Sequence, residues 1–302
     1  MKEKSSHWYH GTGQSCHSLP TVSKTAKSPT RGVRITDAVA LGLFPSVTTI
    51  LKILDKPALS DWKNEQVAGA ALRMIREIIT YEIGKPIPPQ QQEKILMLNE
   101  LNRDKDKLFI DQIIEEAFRQ VEQAADAGTL IHDGCEKALQ GLEYDEEAPV
   151  LLPELQQTFP LKTFVRPVQK FIYENEIVCT SHEIVTVNKA EGYAGKLDVA
   201  FSSKRGMGIG DFKTRKTRPG KPVFAYDEQP MQTAAYFASH YGPGAISGAP
   251  MSNLNLFIST TEPGRVEPVW HDAALTAREW DAFKLLCAYW RIRTGYDPRP
   301  KA

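Results

Sequence analysis

The stretch GYAGKLDVAFSSKRGMGIGDFKT, residues 192–214, decides how this chain is read. Two short apolar runs flank a turn, and each carries an aspartate, Asp198 or Asp211, where a strand would normally bury a hydrophobe. As an antiparallel pair over 194–201 and 207–214, alternate side chains point to one face. Asp211 and Lys213 then share a face and Phe212 points the other way. A turn centred on Lys204–Arg205 sets Asp198 opposite Asp211; one centred on Arg205–Gly206 sets it opposite Lys213. Either register gathers the three side chains on one face, whereas a slip of one residue sets Asp198 against Phe212. Opposed carboxylates repel across a strand pair. A lysine two residues on offsets part of that repulsion, and a divalent cation offsets more. The constellation suits phosphodiester hydrolysis, with Lys213 orienting water and stabilising the charged phosphorus centre. For D-x-K taken alone, a surface ion-pair ladder on a solvated sheet is the plainer explanation.

At 302 residues, 41% hydrophobic and 25% charged, the chain is long enough for one large domain or two small ones. Lys plus Arg and Asp plus Glu each number 37, so the net charge is zero and any anionic partner must be met by local patches. MKEKSSHWYHGTG at the N-terminus lacks the apolar core of a secretory signal, and no run approaches a membrane-spanning length. Cys16, Cys135, Cys179 and Cys287 form no C-x-x-C pair, which favours reduced thiols in a cytoplasmic protein over a disulfide scaffold or zinc site.

Residues 1–35 hold six Lys or Arg against one acid up to Arg34 and read as a basic, partly disordered arm. Residues 36–302 read as a single domain, with a helical wall over 36–140 and a core over 150–302. In the wall, one helix opens with Ser60 as N-cap and carries Ala71, Ile75, Ile78 and Glu82 near one face. PIPPQQQ (86–92) reads as a loop. A second helix runs over about 107–127, and after Gly128 a third runs through TLIHDGCEKALQG. Past the acidic turn EYDEEAP (143–149) the period changes. NEIVCTSHEIVTV, YAGKLDVAF and MGIGDFKT read as three strands, YDEQPMQTAAYFASHYG as a helix and LNLFIST as a strand. TAREWDAFKLLCAYWRIRTG closes the chain as a helix, with a capping box at Thr276 and Glu279 and a Trp280, Phe283, Cys287, Trp290 stripe. The expected class is mixed α+β, one central sheet flanked by helices.

GKLD (195–198), DFK (211–213) and QTAAY (232–236), preceded by GTLIHDGCE with His132 and Glu136, resemble the PD-(D/E)xK nuclease superfamily in its RecB-type and phage-type exonuclease branch. FPSVTTILKILDKPALSDW (44–62) resembles the opening segment of phage-type and mitochondrial genome-maintenance exonucleases. The resemblance spans about residues 36–260 and implies a restriction-endonuclease-like core. It implies metal-dependent DNA hydrolysis, exonucleolytic, in phage or prophage DNA processing. Asp198, Asp211, the Phe212 carbonyl and His132 would ligate Mg²⁺ or Mn²⁺. Lys213 would act on the attacking water, and Gln232 and Tyr236 would line the site and contact the DNA backbone or the catalytic lysine. The implied partners are DNA and a recombination or single-strand-binding protein. With only Cys287 in the C-terminal part, no iron–sulfur cluster is expected. A non-cleaving DNA-binding module and a structure-specific endonuclease are the alternatives.

Other residues carry weaker signals. Glu136 lies at i+4 from His132, either hydrogen-bonding it as a supporting partner or solvated. Glu183 in SHEIV is a third acid near the metal or a solvated strand residue. KTRKTRPGK (213–221) brings Arg215, Lys216 and Arg218 beside the site as a phosphate-tracking patch. Ser46 and Thr48 donate hydroxyls to phosphates or cap a helix at 47–54. His132–Asp133 spells the HD dipeptide of metal phosphohydrolases, but the upstream histidines that chemistry needs lie only in the arm. GMGIG (206–210) lacks the strand–GxGxxG–helix context of a nucleotide site.

Overall fold

A computed structural model describes residues 7–21, 28–54, 57–79, 89, 92, 103–248 and 250–300. The chain divides into two compact units, one of Met1–Leu54, Leu130–Val150 and Phe159–Ala302, the other of Asp55–Thr129 and Leu151–Thr158. The N-terminal elements are β1 (Trp8–Tyr9), β2 (Ser18–Pro20), β3 (Thr30–Gly32), α1 (Ile35–Leu41), β4 (Phe44–Pro45) and α2 (Val47–Leu51). Helices α3 (Pro57–Ile79) and α4 (Arg103–Leu139) follow, then β5 (Pro149–Leu152), β6 (Gln157–Pro160) and α5 (Lys162–Glu174). The strands β7 (Val178–His182), β8 (Val185–Asn188), β9 (Tyr193–Lys196), β10 (Val199–Ser203) and β11 (Gly206–Arg215) lead to α6 (Glu228–His240) and α7 (Ala245–Gly248). The chain closes with β12 (Ser252–Ser259), β13 (Val266–Asp272) and α8 (Ala273–Thr294).

The fold is mixed α+β, as expected. Its central sheet has five strands in the order β13-β12-β11-β10-β7. Only β11 and β12 are parallel. The α6 crossover between them supplies the long connection that a parallel pair requires. Strand β12 is buried along its whole length, as befits the middle of a sheet covered on both faces. On one face Asn253 of β12 reaches Thr276 of α8; on the other, Trp270 of β13 meets Phe171 of α5 at 6.3 Å between ring centroids. Tyr193, Leu197, Ala200 and Ile209 pack with Phe237 of α6 and with Trp280, Phe283 and Trp290 of α8 in one apolar cluster, which confirms the predicted aromatic stripe as core. Strand β13 has no counterpart in the sequence expectations; it carries Pro268, and as an edge strand it tolerates the missing amide.

Several boundaries differ from expectation. Helix α3 is described from Pro57, so Ser60 lies inside it and is not its cap. Residues 86–88, 90 and 91 of the expected loop lie outside the described residues. Helix α4 runs straight through Gly128, where two helices were expected: one glycine costs only about 1 kcal/mol against alanine, too little to end a long helix. The cap of α8 is Asp272, whose carboxylate accepts the Leu275 N–H at 2.8 Å, while the expected cap Thr276 is buried and receives the Asn253 amide.

The expected solvated arm contains part of the core. Trp8 is 3% exposed and packs edge-on against Trp290 of α8 at 6.1 Å, and β1 pairs antiparallel with β4. Burial of two aromatics outweighs the polar composition around them. Trp8→Ala is therefore expected to lower unfolding stability by about 3–5 kcal/mol, read as a shifted urea midpoint. A solvated arm would leave that midpoint unchanged.

Candidate metal centre

The residues that matter lie where two strands bend together. The expected strand over 175–187 is broken into β7, in the central sheet, and β8, which pairs with β9 in a separate two-stranded sheet. The expected strand over 193–201 breaks likewise, into β9 and β10. Glu183 and Asp198 sit at the two breaks. Glu183 adopts φ +50°, a left-handed conformation uncommon for a residue with a Cβ. The ladder continues through the bend, since the Glu183 N–H reaches the Asp198 carbonyl at 2.9 Å and the Leu197 N–H reaches that of Ile184 at 3.0 Å. The hairpin turn falls at Lys204–Arg205, with Ser203 opposite Gly206 and Val199 opposite Gly210, so the register continues to place Asp198 across from Asp211.

His132 reaches this bend from α4. Gly134, two residues on, lets α4 settle on α5: a Cβ there would lie 2.9 Å from a Leu161 methyl and 3.0 Å from a Val165 methyl. The His132 ring stands edge-on to Phe212 at 5.7 Å, and its Nε2 donates to the Phe212 carbonyl at 2.7 Å. The same nitrogen lies 3.4 Å from Asp198 Oδ2, which also accepts the Phe212 N–H at 2.8 Å. Ligand atoms of His132, Glu183 and Asp198 all lie within 4.8 Å of one another. Two carboxylates with one imidazole fit Mg²⁺ or Mn²⁺ chemically. Glu183 is one of the two carboxylates in that group; its side chain is 14% exposed and ion-paired to Lys196.

Asp211 is placed differently from expectation. It is 2% exposed and outside the three-residue group: Oδ1 receives Lys213 Nζ at 2.6 Å and Oδ2 receives the Asn255 amide at 2.8 Å. Asn255 Oδ1 in turn accepts His271 Nε2 at 2.7 Å. Burial raises the Asp198 carboxyl above its ordinary value, and the neighbouring Asp211 raises it further. Burial alone would lower the Lys213 ammonium, but Asp211 and Asp198 outweigh it and hold it above its ordinary value.

Gln232 lies one turn before Tyr236, and its amide approaches the Tyr236 hydroxyl at 3.5 Å. Tyr236 is 5% exposed, so the expected contact with a DNA backbone is corrected: its ring lies over Gly195, where a Cβ would stand 2.5 Å from the ring edge. Ser46 is likewise buried and caps α2, accepting the Thr49 N–H at 3.0 Å, which settles it as a cap and not a phosphate donor. Thr48 is exposed, and its hydroxyl lies 3.0 Å from that of Ser46. Glu136 receives the Gln140 amide at 2.9 Å, the neighbour one turn on, and makes no bond to His132 among the described contacts. Asp133 pairs with Lys137 at 2.8 Å on the exposed face of α4, away from any HD-type arrangement. Arg215 is half-buried, while Lys216 and Arg218 are exposed on the loop beyond β11. Asn255 and His271 escaped sequence reading: neither carries a motif, and only the pairing of β12 with β11 and β13 brings them to Asp211.

No family model and no curated protein matches this chain. Among solved structures, the crystal structure of SSO0001 shows 13% identity, covering 72% of this chain and 85% of that one, with a TM-score of 0.26, too slight a likeness to carry an argument.

Titration with Mn²⁺ by calorimetry is expected to show one site, weakened at least tenfold in both Glu183→Gln and Asp198→Asn; equal affinity in either variant would remove that residue from the centre. A second expectation concerns His271, which burial lowers to about 4. Its folded value lies below its unfolded value of 6.5, so the unfolded chain takes up the proton first and stability falls as pH drops from 6.5 towards 4. That loss amounts to up to about 3 kcal/mol, and His271→Gln should show a correspondingly shallower decline in denaturation midpoint over the same window.

Proposed function

We propose that the chain is a divalent-metal-dependent deoxyribonuclease with a restriction-endonuclease-like core, acting from DNA ends. The observation that carries this reading is the meeting of His132, Glu183 and Asp198 at one bend, with the Asp211–Lys213 pair on the adjoining strand. His132, Glu183 and Asp198 would hold Mg²⁺ or Mn²⁺. A cation bound there lowers the pKa of an attacking water and neutralises charge on the scissile phosphate.

The chain's own groups supply the remainder. Lys213, kept protonated by its two acidic neighbours, presents an ammonium that orients the nucleophile and meets charge developing on the phosphoryl oxygens. Asp211 holds Lys213 Nζ, and Asn255 holds Asp211 from behind, so the ammonium is aimed before substrate arrives. Gln232, on α6, turns its amide to Tyr236. Lys216 and Arg218 lie beyond β11, where backbone phosphates of a bound strand would pass.

The test incubates the purified chain with end-labelled linear DNA and with circular DNA in Mg²⁺, Mn²⁺ or EDTA. Linear DNA should disappear with either metal while circular DNA and the EDTA samples survive. Lys213→Ala and Asp198→Asn should each lower the rate by about 100-fold or more with the fold intact by circular dichroism. Linear DNA that survives in Mn²⁺, or full activity in either variant, overturns the reading; equal loss of circular DNA replaces the exonuclease with an endonuclease.

A further inference from the structure

Asp211, Lys213 and Arg215 alternate along β11 and therefore share one face. Arg215 lies about 7 Å beyond Lys213 along the strand. Its guanidinium stacks 4.3 Å from the Tyr226 ring centroid and donates to the Phe224 carbonyl, which ties down the returning limb of the loop between β11 and α6. Arg265 ties down the tip, donating to the carbonyls of Arg218 at 3.0 Å and Lys221 at 2.8 Å. Tyr226 N–H is held by the Gln229 side chain at 2.8 Å, at the start of α6.

A loop so tethered presents two rings outward. Phe224 is 71% exposed and Tyr226 is 49% exposed, with exposed Arg218 and Lys221 beside them. A lone exposed aromatic is ordinary. Two on one anchored loop, preceded by Arg218 and Lys221 and following the strand that bears Lys213, match the composition of a surface that stacks bases while tracking phosphates. Paired bases stack on one another and leave such rings unused, so the charge and the rings together select an unpaired strand.

We propose that Phe224 and Tyr226 form a stacking site for unpaired bases of single-stranded DNA, whose phosphates are met by Arg218 and Lys221. The site would admit a frayed or single-stranded end to the centre that adjoins Lys213; this placement rests on the nuclease reading, whereas the binding itself does not. Because every base has a π-face, the preference is for strandedness and not for sequence.

The test uses the full chain in EDTA, where hydrolysis cannot contribute, and reads fluorescence anisotropy of three labelled probes: an oligothymidylate, an abasic strand of equal length and a blunt duplex. Oligothymidylate should bind tightest. Phe224→Ala should weaken it about tenfold and leave the abasic strand unchanged, Tyr226→Phe should retain binding, and Arg218→Ala should weaken both single strands alike. Equal binding of oligothymidylate and abasic strand, or no change in Phe224→Ala, overturns the proposal and assigns the loop to phosphate contact alone. Hydrolysis in Mn²⁺ is scored separately. A chain that cleaves nothing but keeps the ring-dependent step retains this site and loses the nuclease reading; one that cleaves without that step does the reverse.

Discussion

The bend at Glu183 and Asp198 is the constraint on which the site depends. Strands β7 and β10 belong to the central sheet; their continuations β8 and β9 leave it as a separate ribbon. Both strands break at the same rung and keep their ladder bonds through the break. Glu183 pays for this with a left-handed backbone, worth roughly 1–3 kcal/mol of strain and sustained by the bonds on either side. An unbroken sheet would space its side chains by simple alternation. The bend instead tips one carboxylate from each strand towards the histidine that α4 delivers.

Packing explains why separate motif residues belong together. Gly195 has no side chain because the Tyr236 ring occupies that space, and Val47 of α2 closes the other side. Gly195 and Tyr236 are thus two halves of one contact, with Asp198 and Gln232 carried on the same strand–loop–helix assembly. A Cβ at 195 would meet the Tyr236 ring at 2.5 Å and press α6 away from the ribbon. Similarly, Asn255 faces Asp211 directly across the parallel β11–β12 pair, and His271 reaches Asn255 from β13. Three adjacent strands each contribute one polar group to a buried chain, and every donor in it finds an acceptor.

What was legible in the sequence was whatever local periodicity encodes. The α8 stripe and the mixed class followed from alternation and helical spacing, whereas alternation left two hairpin registers open and only the strand pairing selects the one with its turn at Lys204–Arg205. The breaks in 175–187 and 193–201 were not legible. Neither holds a glycine or proline at the bend, and the left-handed residue is a glutamate, so nothing local signals a turn. Trp8 was misread for the opposite reason: its neighbours are polar, and only β4 and Trp290, both distant in sequence, give it a place to bury. The Asn255–His271 support is a product of sheet order alone. Tyr236 was expected to line the site, but helical spacing does not say whether a ring points at substrate or at a neighbouring backbone.

Electrostatics distinguish the three acids. Glu183 is paired with Lys196 and Asp211 with Lys213. Asp198 has no lysine in ion-pair contact among the described residues; its partners are a backbone N–H and the His132 ring. It is this acid whose carboxyl burial and Asp211 push upward. A half-buried carboxylate without an ion-paired lysine costs free energy, and the cost falls when it binds a proton. The fold therefore pairs Glu183 and Asp211 with lysines and leaves Asp198 to a backbone N–H and the His132 ring.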